Sequence, residues 1–272
     1  MRNGYRCLRL FLLLALATTG CSTALSTMQP ADTLRAGGWH IGGGAAVSIP
    51  VTRIVDALDQ AGTIGNKYRM DATYQPTAEE QRQVFDAAVG LALSAPGVTY
   101  DVMIRYGIID RLDAGVRWTT TGLHLDLKFQ FLRNGGWDGS ISAGYAWHFF
   151  EGFLFDVLDY LHVADYSRHD LEVPVILGRR LGKWGYVWGG PKYVMARYSL
   201  VAGIPNVTQP FASSGFIHYI GGFAGFGVGY RWVYVFAELT VMDMIASPEI
   251  LGKPVDIGGA IVVPALGIMA RF

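Results

Sequence analysis

The segment GLHLDLKFQFL, residues 122–132, alternates apolar and polar side chains with a period of two. Successive side chains of an extended chain point to opposite faces, so this alternation predicts a strand with one apolar and one polar face. Such a strand suits a soluble sandwich, in which the apolar face is inward, or a membrane barrel, in which it is outward. The apolar face holds Leu123, Leu125, Leu127, Phe129 and Phe131, and the polar face holds His124, Asp126, Lys128 and Gln130.

Two features of the alternating segments favour the membrane barrel. Their lengths are close to the ~9 to 11 residues that a tilted strand needs to cross a bilayer. Aromatic side chains gather at their ends, as at the two interfaces of a membrane, at Tyr100, Tyr106, Trp118, Tyr145, Trp147, Phe149 and Tyr230. After residue 20 the chain has no run of about 18 apolar residues that would predict a spanning helix. A soluble sandwich remains the alternative.

The order of short and long linkers also indicates a barrel, because such barrels have tight periplasmic turns and longer external loops. The linkers IID, RNGGW, LGKW and YR are short and alternate with long ones at 50–97, 151–168, 201–213 and 244–255, except at TTTG. We therefore predict an all-β fold, an antiparallel transmembrane β-barrel of about ten strands, with eight or twelve as alternatives. The strands cover roughly 37–49, 98–108, 111–120, 122–132, 138–150, 169–180, 185–200, 214–229, 231–243 and 256–272.

The amino-terminal residues have the layout of a bacterial secretion signal. Three arginines within residues 2–9 precede an apolar run from Leu10 to Ala17. Gly20 then stands directly before Cys21, as in a lipoprotein processing site, which predicts that Cys21 becomes the lipidated first residue of the mature chain. An ordinary secretory signal cut nearby is the alternative. Ser22 follows the cysteine, where an aspartate would favour the inner membrane, so we expect the outer membrane.

These features divide the chain into three parts. We expect residues 1–20 to be a lipoprotein signal peptide, 21–36 a periplasmic linker and 37–272 the barrel. An even number of strands returns both termini to the periplasm, where a lipid on Cys21 would enter the inner leaflet. Removal of the signal leaves 19 basic and 22 acidic residues, and this balance does not indicate a nucleic-acid partner.

The long linker at 50–97 contains a predicted helix. Thr77 with Glu80 three residues later has the pattern of a capping box. Apolar residues follow at helical spacing, at Val84, Ala88, Leu91 and Ala95. A helix over 77–95 could cap the external mouth, enter the lumen as a plug or rest on the membrane surface, and the sequence leaves these alternatives open.

The inward faces of the strands carry charges of both signs. The phase of each strand assigns eight residues to the lumen: Asp101, Arg105, Asp113, Arg117, Asp126, Lys128, Glu172 and Glu238. A barrel of about ten strands has a narrow interior, and charges removed from water need partners. We therefore predict an ion-pair network that fills much of the lumen. A small solute pore lined by the same groups is the alternative.

The sequence shows no catalytic motif. A nucleophile elbow, a zinc-protease helix and a phosphate-binding loop are all absent, so we predict no enzyme activity, no metal and no cofactor. The predicted function is a structural role, or the transport or binding of a small solute that the sequence does not identify. A barrel enzyme that acts on lipid or peptide at the outer leaflet is the alternative.

The last strand ends in LGIMARF, with Phe272 as the final residue. This ending resembles the signature by which the barrel assembly machinery recognises outer-membrane proteins, so we expect that machinery and the bilayer itself as partners.

The hairpin RYGIIDRL, residues 105–112, is similar to a periplasmic hairpin of uncharacterised outer-membrane β-barrel lipoproteins of the myxobacterial kind. In those proteins Arg-Tyr-Gly, an apolar residue and one variable position precede Asp-Arg and a further apolar residue. The resemblance is clearest over residues 22–37 and 98–133. It implies a barrel fold and an outer-membrane location, and it implies no known activity.

Overall fold

The computed structural model describes residues 24–71, 73–75, 77, 79–80, 83, 94, 96–149, 162–203, 211–247, 249–250, 253–254 and 257–272. Ten of its strands form one closed antiparallel barrel. In chain order they are β1 Trp39–Pro50, β2 Gly97–Ile109, β3 Leu112–Thr119, β4 Gly122–Asn134, β5 Trp137–Phe149, β6 His162–Leu181, β7 Gly185–Gly203, β8 Phe211–Tyr230, β9 Val233–Ala246 and β10 Ile257–Arg271. A two-stranded hairpin of Glu249–Ile250 with Lys253–Pro254 lies between β9 and β10.

The barrel closes because the first strand pairs on both of its sides. On one side of β1, Trp39 lies opposite Tyr106 of β2, and on the other side His40 lies opposite Arg271 of β10. Every other strand pairs with its neighbours in the chain. Closure removes the free sheet edges, so backbone N–H and C=O groups find partners within the sheet. The predicted antiparallel barrel is confirmed, with ten strands and not eight or twelve.

The two ends of the barrel differ in their connections. Residues 110–111, 135–136, 182–184 and 231–232 make tight turns at what we call the short-turn end. The C-terminal Phe272 lies at the same end, since its N–H donates to the Trp39 carbonyl at 2.9 Å. The opposite, long-loop end carries every long connection together with one tight turn at 120–121. Strands β6, β7 and β8 have 19 or 20 residues and extend beyond their neighbours at the long-loop end.

The outer surface of the barrel is apolar. On β4, the outward Leu127 and Phe129 are about half exposed, whereas the adjacent Lys128 is 2% exposed and faces the lumen. Exposed aromatic side chains lie near both ends, including Trp39, Tyr106, Trp137, Trp184 and Trp232 at the short-turn end and Tyr100, Trp118, Trp147 and Phe149 at the other. An apolar band between two aromatic girdles suits a bilayer and not water.

The connection from β1 to β2 begins with helix α1, Val51–Met70, which the sequence did not predict. The hydroxyl of Thr52 accepts a hydrogen bond from the Ala260 N–H at 3.0 Å and holds the start of α1 on β10. The chain here contains Gly62 and Gly65, which weaken helix propensity and obscured the pattern. In the part of the chain that is described, no helix is both long and apolar enough to span a membrane.

The predicted capping box at Thr77 is present. The Thr77 N–H donates to the Glu80 carboxylate at 2.8 Å, and the Glu80 N–H donates to the Thr77 hydroxyl at 3.3 Å. Hydrogen bonds from neighbouring groups lower the pKa of Glu80 to about 2. The bond from Lys67 has the largest effect, and bonds from Tyr74 and Thr77 add to it. Most of the predicted helix, residues 78, 81–82, 84–93 and 95, lies outside the described residues.

Candidate functional site

The lumen is occupied by the chain's own amino-terminal segment, residues 24–36, which we call the plug. Leu25, Met28 and Ala31 are each at most 2% exposed. The sequence predicted a periplasmic linker over 21–36, whereas the structure places residues 25–34 of this segment buried inside the barrel. Glycines on the wall make room for it: a Cβ at Gly107 would lie 2.0 Å from the Arg35 carbonyl oxygen.

The carbonyl groups of the plug accept hydrogen bonds from buried cations of the wall. Within residues 24–36 the backbone forms neither helix nor strand, so its polar groups need side-chain partners. Three cations provide them: Lys192 Nζ bonds Leu25 O at 2.7 Å, Arg117 Nη1 bonds Ser26 O at 2.7 Å, and Lys128 Nζ bonds Asp32 O at 2.9 Å and Pro30 O at 3.2 Å. The cationic groups of Lys192, Arg117 and Lys128 therefore donate hydrogen bonds to the plug backbone.

The N–H groups of the plug donate to acceptors on the opposite and adjoining walls. The Glu238 carboxyl group accepts from the N–H groups of Thr27 at 2.6 Å and Met28 at 2.8 Å. The same carboxyl group accepts from Trp188 Nε1 at 3.0 Å, which fixes its position. Nearer the short-turn end, Thr33 N donates to Gln130 Oε1 at 3.2 Å and Leu34 N donates to Asp113 Oδ2 at 3.1 Å.

Asp32 is the one acidic side chain of the plug. Its carboxylate lies 2.9 Å from Arg271 Nη1 on β10 and 3.1 Å from Arg180 Nη2 on β6. These strands stand apart in the barrel, with β7, β8 and β9 between them. Asp32 thus ties the plug to two separate parts of the wall near the short-turn end.

Ion pairs between wall residues fill the space beside the plug. Arg105 bonds Asp126 at 2.8 Å and also pairs with Asp113, and the three side chains are at most 3% exposed. A second group joins Glu172 to Lys192 at 2.8 Å and to Arg117 at 3.7 Å. Such pairs hold charges in a space with little water.

All eight residues that the strand phases assigned to the lumen lie inside the barrel and are at most 8% exposed. Seven of them contact the plug or another charged side chain of the lumen, whereas Asp101 takes part in none of the contacts described above. The sequence did not predict the bond between Gln130 and Thr33 or the ion pairs of Asp32, because these partners lie 97 to 239 residues apart in the chain. Cys21, the predicted lipidation site, lies outside the described residues.

Lys192 was not among the residues that the strand phases assigned to the lumen. Its strand is regular, since β7 pairs with β8 without a register shift through Pro191. Trp188, Lys192 and Val194 all face inward. The inner wall of β7 to β10 is mainly apolar, with Tyr198, Tyr219, Phe223, Phe236, Met242 and Met244. Because apolar residues occupy both faces of these strands, alternation alone could not identify the inner face.

Two cavities lie at the ends of the plug. A vestibule of about 800 Å³ at the short-turn end is lined by residues that include Asp32, Arg180 and Trp232. Beside Ala24, near the other end, a cavity of about 10 Å³ lies against His148, and such a volume holds about one water molecule. Among the described residues, no group of His, Cys, Asp or Glu could hold a metal ion.

The position of the plug predicts an engineered disulfide. A Cβ at Gly178 on β6 would lie 2.9 Å from the Ala31 Cβ, so a shift of about 1 Å brings the pair to disulfide geometry. We expect the double variant Ala31→Cys with Gly178→Cys to form a disulfide in an oxidising compartment, seen as a reducible mobility change on electrophoresis. Ala31→Cys with Thr119→Cys, at the other end of the lumen, is the control, and equal cross-linking in both would contradict the plug's register.

Comparison with known proteins gave structural matches alone. No protein family and no curated protein sequence matches this chain. The attachment invasion locus protein Ail of Yersinia pestis is 12% identical, with a TM-score of 0.31 and coverage of 87% of this chain and 99% of Ail. Neisserial surface protein A is 8% identical, with a TM-score of 0.34 and coverage of 87% and 98%. The translocator domain of NalP from Neisseria meningitidis is 11% identical, with a TM-score of 0.39 and coverage of 89% and 91%.

Proposed function

We propose that this protein is an outer-membrane barrel lipoprotein with a structural role, and that the plug closes its lumen. The observation that carries the proposal is the burial of the plug, whose carbonyl and N–H groups are bonded to charged and polar groups of the wall. We expect a solute to pass only if those hydrogen bonds are broken, because buried ion pairs of the wall occupy space beside the plug.

Several features support the location. The chain begins with the layout of a secretion signal, and the barrel has an apolar outer band with aromatic girdles. Gly20-Cys21 supports lipidation at Cys21, and the resemblance of residues 105–112 to a barrel lipoprotein hairpin agrees with it. Phe272 is 59% exposed at the short-turn end and is available there to the assembly machinery.

A non-enzymatic role agrees with the chemistry of the lumen. His148 lies 3.0 Å from the Asp170 carboxylate, and Arg168 also bonds that carboxylate at 2.7 Å. All three side chains are at most 6% exposed, and the cavity that His148 and Asp170 line holds about one water molecule. A lipid or peptide substrate has no room at this cluster. The vestibule at the short-turn end has room for a small solute, and this favours binding there over passage through the lumen.

Conductance across a planar bilayer tests the closed lumen. We expect the folded protein to be electrically silent, and we expect stepwise conductance from a variant that lacks residues 24–34, because water then fills the space that the plug leaves. Heat-modifiable mobility on electrophoresis serves as the control that both proteins fold. Regular conductance steps from the intact protein would refute the proposal, as would silence of the folded deletion variant, since side chains of the wall would then be the seal.

A further inference from the structure

The contacts of the plug follow the axis of the barrel in order. Gly37, which follows the plug, lies at the short-turn end, where its N–H donates to the Gly107 carbonyl at 2.8 Å. Leu34 then contacts Asp113, and Ser26 contacts Arg117, four residues farther along β3 toward the long-loop end. The plug therefore runs through the lumen from the short-turn end and does not double back among the described residues.

The last described residue of the plug lies near the far end. Ala24 lines a small cavity together with Thr119, Gly122 and His148. Thr119 ends β3 and Gly122 begins β4, on either side of the turn that faces the long loops. Asp113 and Thr119 are six residues apart on β3, which corresponds to about 20 Å along a strand. Ala24 is thus separated by most of the barrel from the turns at the short-turn end.

The chain before Ala24 is too short to return. Cys21 stands three positions before Ala24, and a fully extended chain of that length reaches at most about 11 Å. The apolar band of a membrane barrel is about 25 Å tall. A lipid on Cys21 therefore cannot reach the leaflet at the short-turn end while the plug is in place.

We infer that the mature amino terminus emerges at the long-loop end, on the cell surface, and that its acyl chains enter the outer leaflet. The lipid part of this inference rests on the proposed lipidation of Cys21, whereas the path of the chain rests on the plug alone. The sequence had led us to expect the opposite, a lipid in the inner leaflet, because it placed residues 21–36 in the periplasm. On this path residue 21 and Phe272 lie on opposite sides of the membrane.

Epitope accessibility tests the path. A hydrophilic tag is inserted between Ser22 and Thr23 in the full chain, and antibody binding is compared in intact and permeabilised cells. The same tag between Pro205 and Asn206 marks the long-loop side, and the same tag between Gly182 and Lys183 marks the short-turn side. We expect the first tag to bind antibody on intact cells, as the Pro205 tag does. The inference is overturned if antibody binds the Pro205 tag on intact cells but does not bind the tag after Ser22. This holds whether or not the tag after Ser22 becomes accessible on permeabilisation.

Metabolic labelling with a radioactive fatty acid separates this inference from the proposed lipidation. Incorporation into the tagged protein, with the tag accessible on intact cells, supports both. An accessible tag on a protein without fatty acid refutes lipidation and the outer-leaflet anchor, and it leaves the threaded path standing. Fatty acid on a protein whose tag is protected refutes the path and leaves lipidation standing.

Discussion

Replacement of Arg105 by Leu is expected to lower the free energy of unfolding by about 3 to 5 kcal/mol, the cost of removing one partner from a buried ion pair. The loss leaves Asp113 and Asp126 at most 3% exposed and without their shared cation. Urea-induced unfolding of the barrel in lipid vesicles measures the change. We expect the effect to be among the largest of any single polar substitution in the lumen, because one guanidinium group holds two carboxylates.

A matched variant separates charge from packing in this cluster. Arg105→Leu combined with Asp113→Asn and Asp126→Asn removes all three charges, and we expect it to recover much of the lost stability. A change of less than about 1 kcal/mol for Arg105→Leu alone is typical of ion pairs exposed to water. That result would contradict the conclusion that these ion pairs are shielded from water in the lumen.

Replacement of Glu238 by Ala is expected to release the plug. The change removes the acceptor for the N–H groups of Thr27, Met28 and Trp188, and each buried donor left without a partner costs about 1 to 3 kcal/mol. We expect intermittent conductance from the variant in a planar bilayer and a lower yield of the disulfide between Ala31→Cys and Gly178→Cys.

Glu238→Gln is the control for this release, because its amide retains one acceptor oxygen of similar size and position. We expect it to conduct less often than the alanine variant. Equal silence of both variants, with undiminished cross-linking, would show that the remaining bonds from Lys192, Arg117 and Lys128 are enough to retain the plug.

The sequence predicted the barrel well where the two faces of a strand differ in polarity. On β4 polar and apolar residues alternate from Leu123 to Phe131, so both the strand and its inward Asp126 and Lys128 could be predicted. On β7 to β10 the lumen side is mainly apolar, and Met28 of the plug belongs to the same buried apolar cluster. Polarity then no longer distinguishes inside from outside, and the inward direction of Lys192 was missed.

The plug could not be predicted from its own residues. Its burial depends on partners such as Glu238, which is 211 residues away from Thr27 in the chain. A segment without helical or strand periodicity has the sequence of a linker until the wall that surrounds it is known. The position of the plug therefore depends on contacts that exist only in the closed barrel, whereas the strands can be predicted from the local alternation of polar and apolar residues.

The plug lies immediately before β1, and β1 closes the barrel by pairing with β10, the last barrel strand in chain order. A segment that precedes all ten barrel strands is thus enclosed by a barrel that the tenth strand completes. If Cys21 carries acyl chains, those chains cannot be drawn through a filled, closed lumen, so enclosure must precede or accompany closure. Assembly of this protein then has a fixed order of events, in which the strands surround the plug before the barrel closes. If β10 paired with β1 too early, the amino-terminal segment would remain on the short-turn side of the membrane.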